Sequence, residues 1–402
     1  MTDKTQQSPA VTAAIYAGCV IAFVSFGFAA TFGVFMRPVS EALGWPRSVI
    51  SLSMAIQAIS WGITQPLAGM VADRFGSGKV LAFGAVLASL GFAIRGTVID
   101  PTIFIWSGVI VGIGTGCAAF QIVIIALGKV VAASKRSFIL GLGTASASAG
   151  MFLAAPVSVY LIGQIGWQMA IMSISVSYLL IVPMAFFVNR VSVATVKAGQ
   201  SRFGYAVKSA FQDRAYVLLF IGFFVCGFHV ASISTHLPAF IADQGLSPAL
   251  GAWSLALIGL FNIAGSFLSG WSGQRHSKKR LLSGIYFTRA IIISLFVIAP
   301  LTPGGIYIFS AAMGLLWLST VPLTTALIAQ TQGVTYLSTL GGLIFLSHQS
   351  GAFLGTLMGG WIFDAFGDYT PMWWAGVALG LIAALIHLPI RETPGPLAKA
   401  VG

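Results

Sequence analysis

The sequence predicts an all-α membrane protein of twelve transmembrane helices in two six-helix, pseudo-symmetric halves, and three observations predict it. The chain is 57% hydrophobic and only 7% charged over 402 residues, against about 25% charged residues in soluble domains, so it cannot cover its own surface in water. Its apolar residues fall in stretches of about 20, the length that a helix rising 1.5 Å per residue needs to cross a hydrocarbon core of about 30 Å. The two halves of the chain also repeat one another at a fixed offset.

In lipid every backbone polar group must be satisfied within its own segment, so each apolar stretch is expected to be helical. The polar N-terminal tail shows no cleavage pattern before the first span, and no removable signal is expected. Six spans are read at 12–36, 48–72, 80–98, 102–127, 138–163 and 168–189. A basic stretch at 190–214 follows, holding Arg190, Lys197, Arg202, Lys208 and Arg214. Six more spans are read at 215–241, 249–272, 281–300, 305–328, 337–363 and 370–390. The expected organisation is therefore an N-terminal half at 1–189, a cytoplasmic linker loop at 190–214 and a C-terminal half at 215–402.

The net charge of +12 does not point to nucleic acid, because the basic residues sit in short loops and form no continuous face. They set the orientation instead. With the N-terminus in the cytoplasm, the outer loops hold Arg37, Arg47 and Arg95, Arg289 lies within a span, and the remaining 17 of 21 basic residues are inside. Both termini are thus expected in the cytoplasm, in an inner or plasma membrane. Cys19, Cys117 and Cys226 all fall in apolar spans and read as small core residues, with no disulfide framework and no metal spacing.

The repeat is anchored at several points. GMVADRFGSGK starts at Gly69 and GWSGQRHSKKR at Gly270, 201 residues later; the same offset relates Gly150 to Gly351 and Gly166 to Gly367. Parallel six-helix repeats around a central site are a transporter plan. The stretch Gly69-x-x-x-Asp73-Arg74-x-Gly76-x-x-Lys79 resembles the signature loop of the major facilitator superfamily. The resemblance implies that superfamily's fold, and it makes these five residues a candidate conformational latch. Gly69 would permit close helix approach, and Asp73 would accept from helix N-terminal amides or a basic partner until the halves rock. In the second copy Gln274 replaces the acid and Ser277 the glycine.

Within the superfamily the chain is most similar to the monocarboxylate porters, a group that includes oxalate/formate antiporters. Phe32-Gly33-Val34-Phe35, Leu260-Phe261-Asn262, and Gly367-Asp368-Tyr369 followed by Trp373-Trp374 carry that resemblance. Span 5 reads Ala149-Gly150-Met151-Phe152 and later Ala155-Pro156, without the Gly-Pro pair typical of proton/drug antiporters. Where the family places an arginine in span 8 this chain has Ser266, and Asn262 replaces the accompanying acid. His348 stands where the antiporters carry a lysine in span 11.

A charged residue within a span is functional by default, and Arg289 is the one the sequence puts there. All nine acids fall in loops, tails or span ends, which leaves histidine as the group that titrates near neutral pH. His229 and His236, spaced with Ser232 by three and four, share one face of span 7, and His348 lies in span 11; His348 and then His236 are the expected proton carriers. Asn262, Gln121, Thr31, Trp317 and Thr320 complete the candidate substrate-binding set, although small polar residues also join helices to one another. No phosphate loop of the type GxxxxGK[ST] occurs, no cofactor is implied, and no metal cluster or nucleophile–base set lies in the spans, so neither ATP hydrolysis nor another enzymatic role is expected. The resemblance implies a secondary transporter of a small organic solute by alternating access, a monocarboxylate or related organic anion with proton symport. A carrier or exporter of a neutral metabolite, or an anion exchanger, is the alternative.

Overall fold

The computed structural model describes residues 9–131, 133–191, 203–333, 336–395 and 397; for residues 73, 125, 128–130, 133–138, 140, 203 and 338 it describes the backbone alone. Every regular element among the described residues is helical. In chain order they are α1 (Pro9–Thr31), a 3-10 turn (Phe32–Phe35), α2 (Met36–Leu43), α3 (Arg47–Phe75), α4 (Ser77–Thr97), α5 (Pro101–Cys117), α6 (Phe120–Val130), α7 (Ala133–Leu179) and α8 (Ile181–Val191). There follow α9 (Phe203–Gln212), α10 (Arg214–Asp243), α11 (Pro248–Ser272), α12 (Lys278–Ile298), α13 (Pro303–Leu316), α14 (Thr320–Gln332), α15 (Leu337–Phe366) and α16 (Thr370–His387). Nine helical stretches among the described residues are long and apolar enough to cross a bilayer. One of them is two helices joined at Gly166, whose φ of 79° suits glycine. The helices α3 and α15, of 29 and 30 residues, have span length but a more polar composition. Part of the stretch read as a linker loop is helical: α9 buries Ala206 and Ala210 against the foot of the C-terminal helices.

The offset of 201 is visible in the packing. A Cβ on Gly150 would lie 2.1 Å from the Phe23 carbonyl oxygen, and one on Gly351 would lie 1.9 Å from that of Phe224. The same glycine therefore brings α7 onto α1 and α15 onto α10, at positions related by 224 − 23 = 201. The offset also carries α3 onto α11 and the first part of α7 onto α15. Accordingly α3 packs on α15 and α7 packs on α11, two equivalent seams between N-terminal and C-terminal helices.

Candidate functional site

Two helical spans are broken near mid-length, again at related positions: α5 stops at Cys117 and α6 starts at Phe120, while α13 stops at Leu316 and α14 starts at Thr320. A break leaves carbonyls and N–H groups without intrahelical partners, and these need other bonds or a ligand. In the N-terminal half the break is closed by backbone proximity: a Cβ on Gly84 of α4 would lie 2.5 Å from the Ala118 nitrogen. In the C-terminal half it is held by charge and amide. Arg289 of α12 donates from Nη2 to the carbonyls of Leu316 and Trp317, both at 2.5 Å. The Leu318 amide donates to Asn262 Oδ1 at 3.0 Å. Asn262 Nδ2 in turn donates to Ser148 Oγ of α7 at 2.9 Å, across the seam between the halves.

The same cluster holds Cys226 of α10, whose Sγ lies 3.2 Å from Thr320 Oγ1 and 3.6 Å from Arg289 Nη1. Arg289 and Cys226 are fully buried and Trp317 nearly so. Arg289 Nε and Trp317 Nε1 have no partner among the described residues. Of the residues the sequence singles out, Arg289, Asn262, Trp317 and Thr320 thus come together, and Cys226, which reads from sequence as inert core, joins them. His348 stands beside this group, its Nδ1 3.0 Å from Gln349 Oε1. Gln349 Nε2 donates to the Ala58 carbonyl of α3, on the far side of the seam, at 3.2 Å.

The other candidates are placed elsewhere. His229 Nε2 bonds the Gly376 carbonyl of α16 at 2.7 Å, and His236 Nε2 bonds the Thr356 carbonyl of α15 at 2.8 Å. Their shared helical face therefore meets neighbouring helices of the C-terminal half. Thr31 Oγ1 donates to the Gly27 carbonyl one turn earlier. Gln121 lies in the first turn of α6, its Oε1 buried and without a partner among the described residues.

Arg95, read as an outer-loop residue, needs a correction. Arg95 is fully buried; its helix runs to Thr97 and turns the side chain inward. It donates to Ser107 Oγ at 3.2 Å, Gln57 Oε1 at 2.7 Å, and Ser53 Oγ and carbonyl at 2.9 and 3.3 Å. The rings of Phe32, Phe92 and Phe104 surround it. Arg289 is therefore not alone as a charge in the core.

Arg47, 7% exposed, joins the halves. Its guanidinium makes a two-pronged ion pair with Asp243 at the end of α10, the Nη2–Oδ1 contact being 2.6 Å. It donates to Tyr369 Oη at 2.7 Å and lies 3.7 Å over the Phe363 ring. Burial pushes the Tyr369 hydroxyl up to about 12, so it remains protonated beside the guanidinium. The amides of Arg47 and Ser48, which open α3, both donate to Asp364 of α15 at 2.9 Å, a carboxylate at a helix N-terminus. Arg37 adds a bond to the Ala242 carbonyl at 2.8 Å. Among the described residues, the ion pairs that join the halves all lie at this end.

At the other end, the predicted latch behaves differently. Among the described residues nothing lies within 4 Å of a Cβ built on Gly69, and the close contact in the loop is at Gly78, against Ala185 and Asn189 of α8. Gly76 takes a φ of 97°. Arg74 and Lys79 are exposed. The Asp73 side chain lies outside the described residues.

The sequence matches the family model described as Major Facilitator Superfamily over residues 18–356. It is similar to the uncharacterised MFS-type transporter YcxA of Bacillus subtilis, with 29% identity over 368 residues, covering 85% of this chain and 86% of that protein. It is also similar to monocarboxylate transporter 13 of Bos taurus, with 22% identity over 350 residues and coverage of 86% and 81%. The fold is similar to that of a bacterial homologue of the human lysosomal transporter Spinster, solved in an inward-facing and unoccupied conformation. The TM-score is 0.78 at 14% identity, over 95% of this chain and 97% of that one.

Proposed function

The chain belongs to the Major Facilitator Superfamily of membrane transporters, and from that premise we propose that it carries a small organic anion, a monocarboxylate or close relative, together with a proton. The observation that carries this reading is Arg289: a fully buried guanidinium at a broken helix, with no carboxylate partner among the described residues. A buried charge without a counter-ion is costly, and an anionic solute arriving at the α13–α14 break would supply one. The similarity to a monocarboxylate transporter supports the same substrate class.

The carrier would work by alternating access of two six-helix halves, 1–189 and 215–402, with twelve spans counted by adding α3, α15 and the division at Gly166 to the nine apolar stretches. The excess of Lys and Arg in the loops at one end supports cytoplasmic termini. On that orientation the Arg47–Asp243–Asp364 cluster is an outer gate, drawn closed, and the latch loop at Gly69, Asp73, Arg74, Gly76 and Lys79 would engage when the halves rock the other way. The test is uptake of pyruvate and of a panel of short carboxylates into liposomes holding the purified protein. Saturable uptake that falls about a hundredfold in Arg289→Gln is the expected result, because an anion in a low-dielectric site would then have no cation to pair with. Uptake of uncharged solutes alone would overturn the anion reading.

A further inference from the structure

Arg289 poses a question that the transport reading sharpens. A carrier must return empty as well as loaded, and an arginine left without a counter-ion in the membrane core would oppose the empty step. No carboxylate among the described residues reaches it. The acidic hydrogen nearest its guanidinium is on the Cys226 thiol, 3.6 Å from Nη1, and the Thr320 hydroxyl lies 3.2 Å from the same sulfur. On the α15 side His348 packs against the same stretch of α10, its ring 5.2 Å from that of Phe223. It is 8% exposed where Cys226 and Arg289 are fully buried, so it is the least enclosed of the three.

We propose that Cys226 is the proton-binding group of the transport site and the counter-ion of Arg289 in the empty carrier, an inference that rests on the organic-anion reading above. In the empty state the sulfur is a thiolate, paired with the Arg289 guanidinium and accepting from the Thr320 hydroxyl. An incoming carboxylate takes over as the counter-ion, and the thiolate accepts a proton through His348, forming the S–H bond. Release reverses both steps: the S–H bond breaks, the proton leaves by His348, and the thiolate returns to the guanidinium. The site is neutral when empty (one thiolate, one guanidinium) and neutral when loaded (one thiol, one guanidinium, one carboxylate). One proton therefore travels with each monoanion, and neither crossing carries an unpaired charge.

The groups facing Cys226 are consistent with this role. α12 presents Arg289, whose guanidinium lies 5.4 Å over the Tyr286 ring, and α14 presents Thr320, while His348 of α15 packs on Phe223 of α10, one turn from Cys226. α11 carries no titratable residue. His229, one turn along α10, is held by the Gly376 carbonyl, and His387 of α16 reaches the cluster only by stacking on Tyr286. The Arg289 Nε, without a partner among the described residues, leaves the guanidinium a free donor for an arriving anion.

The experiment compares wild type with Cys226→Ala in liposomes, measuring net pyruvate uptake driven by a pH gradient and pyruvate–pyruvate exchange at equal pH. Exchange uses loaded crossings only, whereas net uptake needs the empty return. The expected result is a ratio of net uptake to exchange that falls about a hundredfold, the cost of returning an unpaired charge through the core. Net uptake and exchange falling together, or an unchanged ratio, would overturn the inference. A second measurement does not depend on the substrate. In a Cys19→Ala, Cys117→Ala background, the ultraviolet absorbance of thiolate is recorded at neutral pH. The expected signal is one thiolate per chain that vanishes in Cys226→Ala and on addition of a bound anion. No thiolate in the otherwise native chain would overturn the inference. A wild type that shows the thiolate yet moves no organic anion would leave the proton site standing and defeat the anion reading instead.

Discussion

Arg95 and Arg289 are buried arginines on α4 and α12, helices that start 201 residues apart, and they make different bonds. Arg95 is enclosed by neutral side chains of α3 and α5, Ser53, Gln57 and Ser107, and each of its nitrogens donates to one of them. Three aromatic faces close the site. Arg289 spends Nη2 on the two carbonyls of a broken helix, lies beside a thiol and keeps Nε free of partners among the described residues. Burial alone does not mark a charge as functional; what matters is whether its bonds are complete and whether they end on groups that move. Arg95 fastens three helices of one half. Arg289 sits where a helix is discontinuous, the place where the proposed exchange of proton and anion would occur.

The contrast breaks if the two arginines respond alike. Arg289→Gln is expected to cut anion uptake about a hundredfold, and Arg289→Lys about tenfold, because lysine keeps the charge and loses the planar fork that spans two carbonyls. Arg95→Gln should instead act on stability, costing about 2 kcal/mol through the stranded Gln57 and Ser53 groups. Anion affinity of the folded fraction should stay within a few-fold of wild type. Thermal unfolding of the purified protein and uptake per folded molecule separate the two; loss of uptake without loss of stability in Arg95→Gln would place both arginines in the transport site.

Arg47 sharpens the comparison by adding a third kind of partner. Its charge is matched by a carboxylate of α10, so on the proposed alternating-access reading this bond would have to break as the halves rock. Asp243→Asn is expected to raise hydrogen exchange of the amides at 45–52 about tenfold, near 1.4 kcal/mol of lost gate stability, with little change in the melting temperature. Exchange that stays at the wild-type level would make the cluster a static surface contact.

The fold was legible where its cause is local and repeated. Span length and the Gly150/Gly351 and Gly166/Gly367 pairs act over one or two turns, and each pair recurs 201 residues apart, whereas the breaks after Cys117 and Leu316 fall inside stretches read as continuous spans. The site was less legible, because its groups meet only in three dimensions. Nothing in the neighbourhood of Cys226 announces that Arg289, Thr320 and His348 lie around it, from three other helices. The Arg47 cluster was missed for the same reason: Arg47, Asp243 and Asp364 are ordinary span-end residues until α3, α10 and α15 converge. Arg95 had a readable signal, since Ser53 and Gln57 are four residues apart and so lie on one face of α3, but the loop reading of 95 hid it. Helical period placed His229 and His236 on one face correctly and could not say which neighbour that face meets.

Those two histidines give the smallest expected effect and the closest test of where the proton binds. His236 lies between α10 and α15 with Nε2 on the Thr356 carbonyl and its ring 5.2 Å from that of Tyr369. It is fully buried, and a Cβ on Gly359 would lie 2.3 Å from its Nε2. His236 is thus enclosed between α10 and α15, whereas His348 is 8% exposed beside the Arg289 cluster. His236→Gln keeps an amide donor for the Thr356 carbonyl, so the seam should hold and the ratio of net uptake to exchange should move by no more than about twofold, on the order of 0.5 kcal/mol. His348→Gln should lower that ratio, because it removes the group that passes the proton to Cys226. The ratio is the quantity to measure in both variants at equal protein density. If His236→Gln lowers it as far as His348→Gln does, proton binding extends to the α10–α15 seam, and the assignment of titration to the Arg289 cluster alone fails.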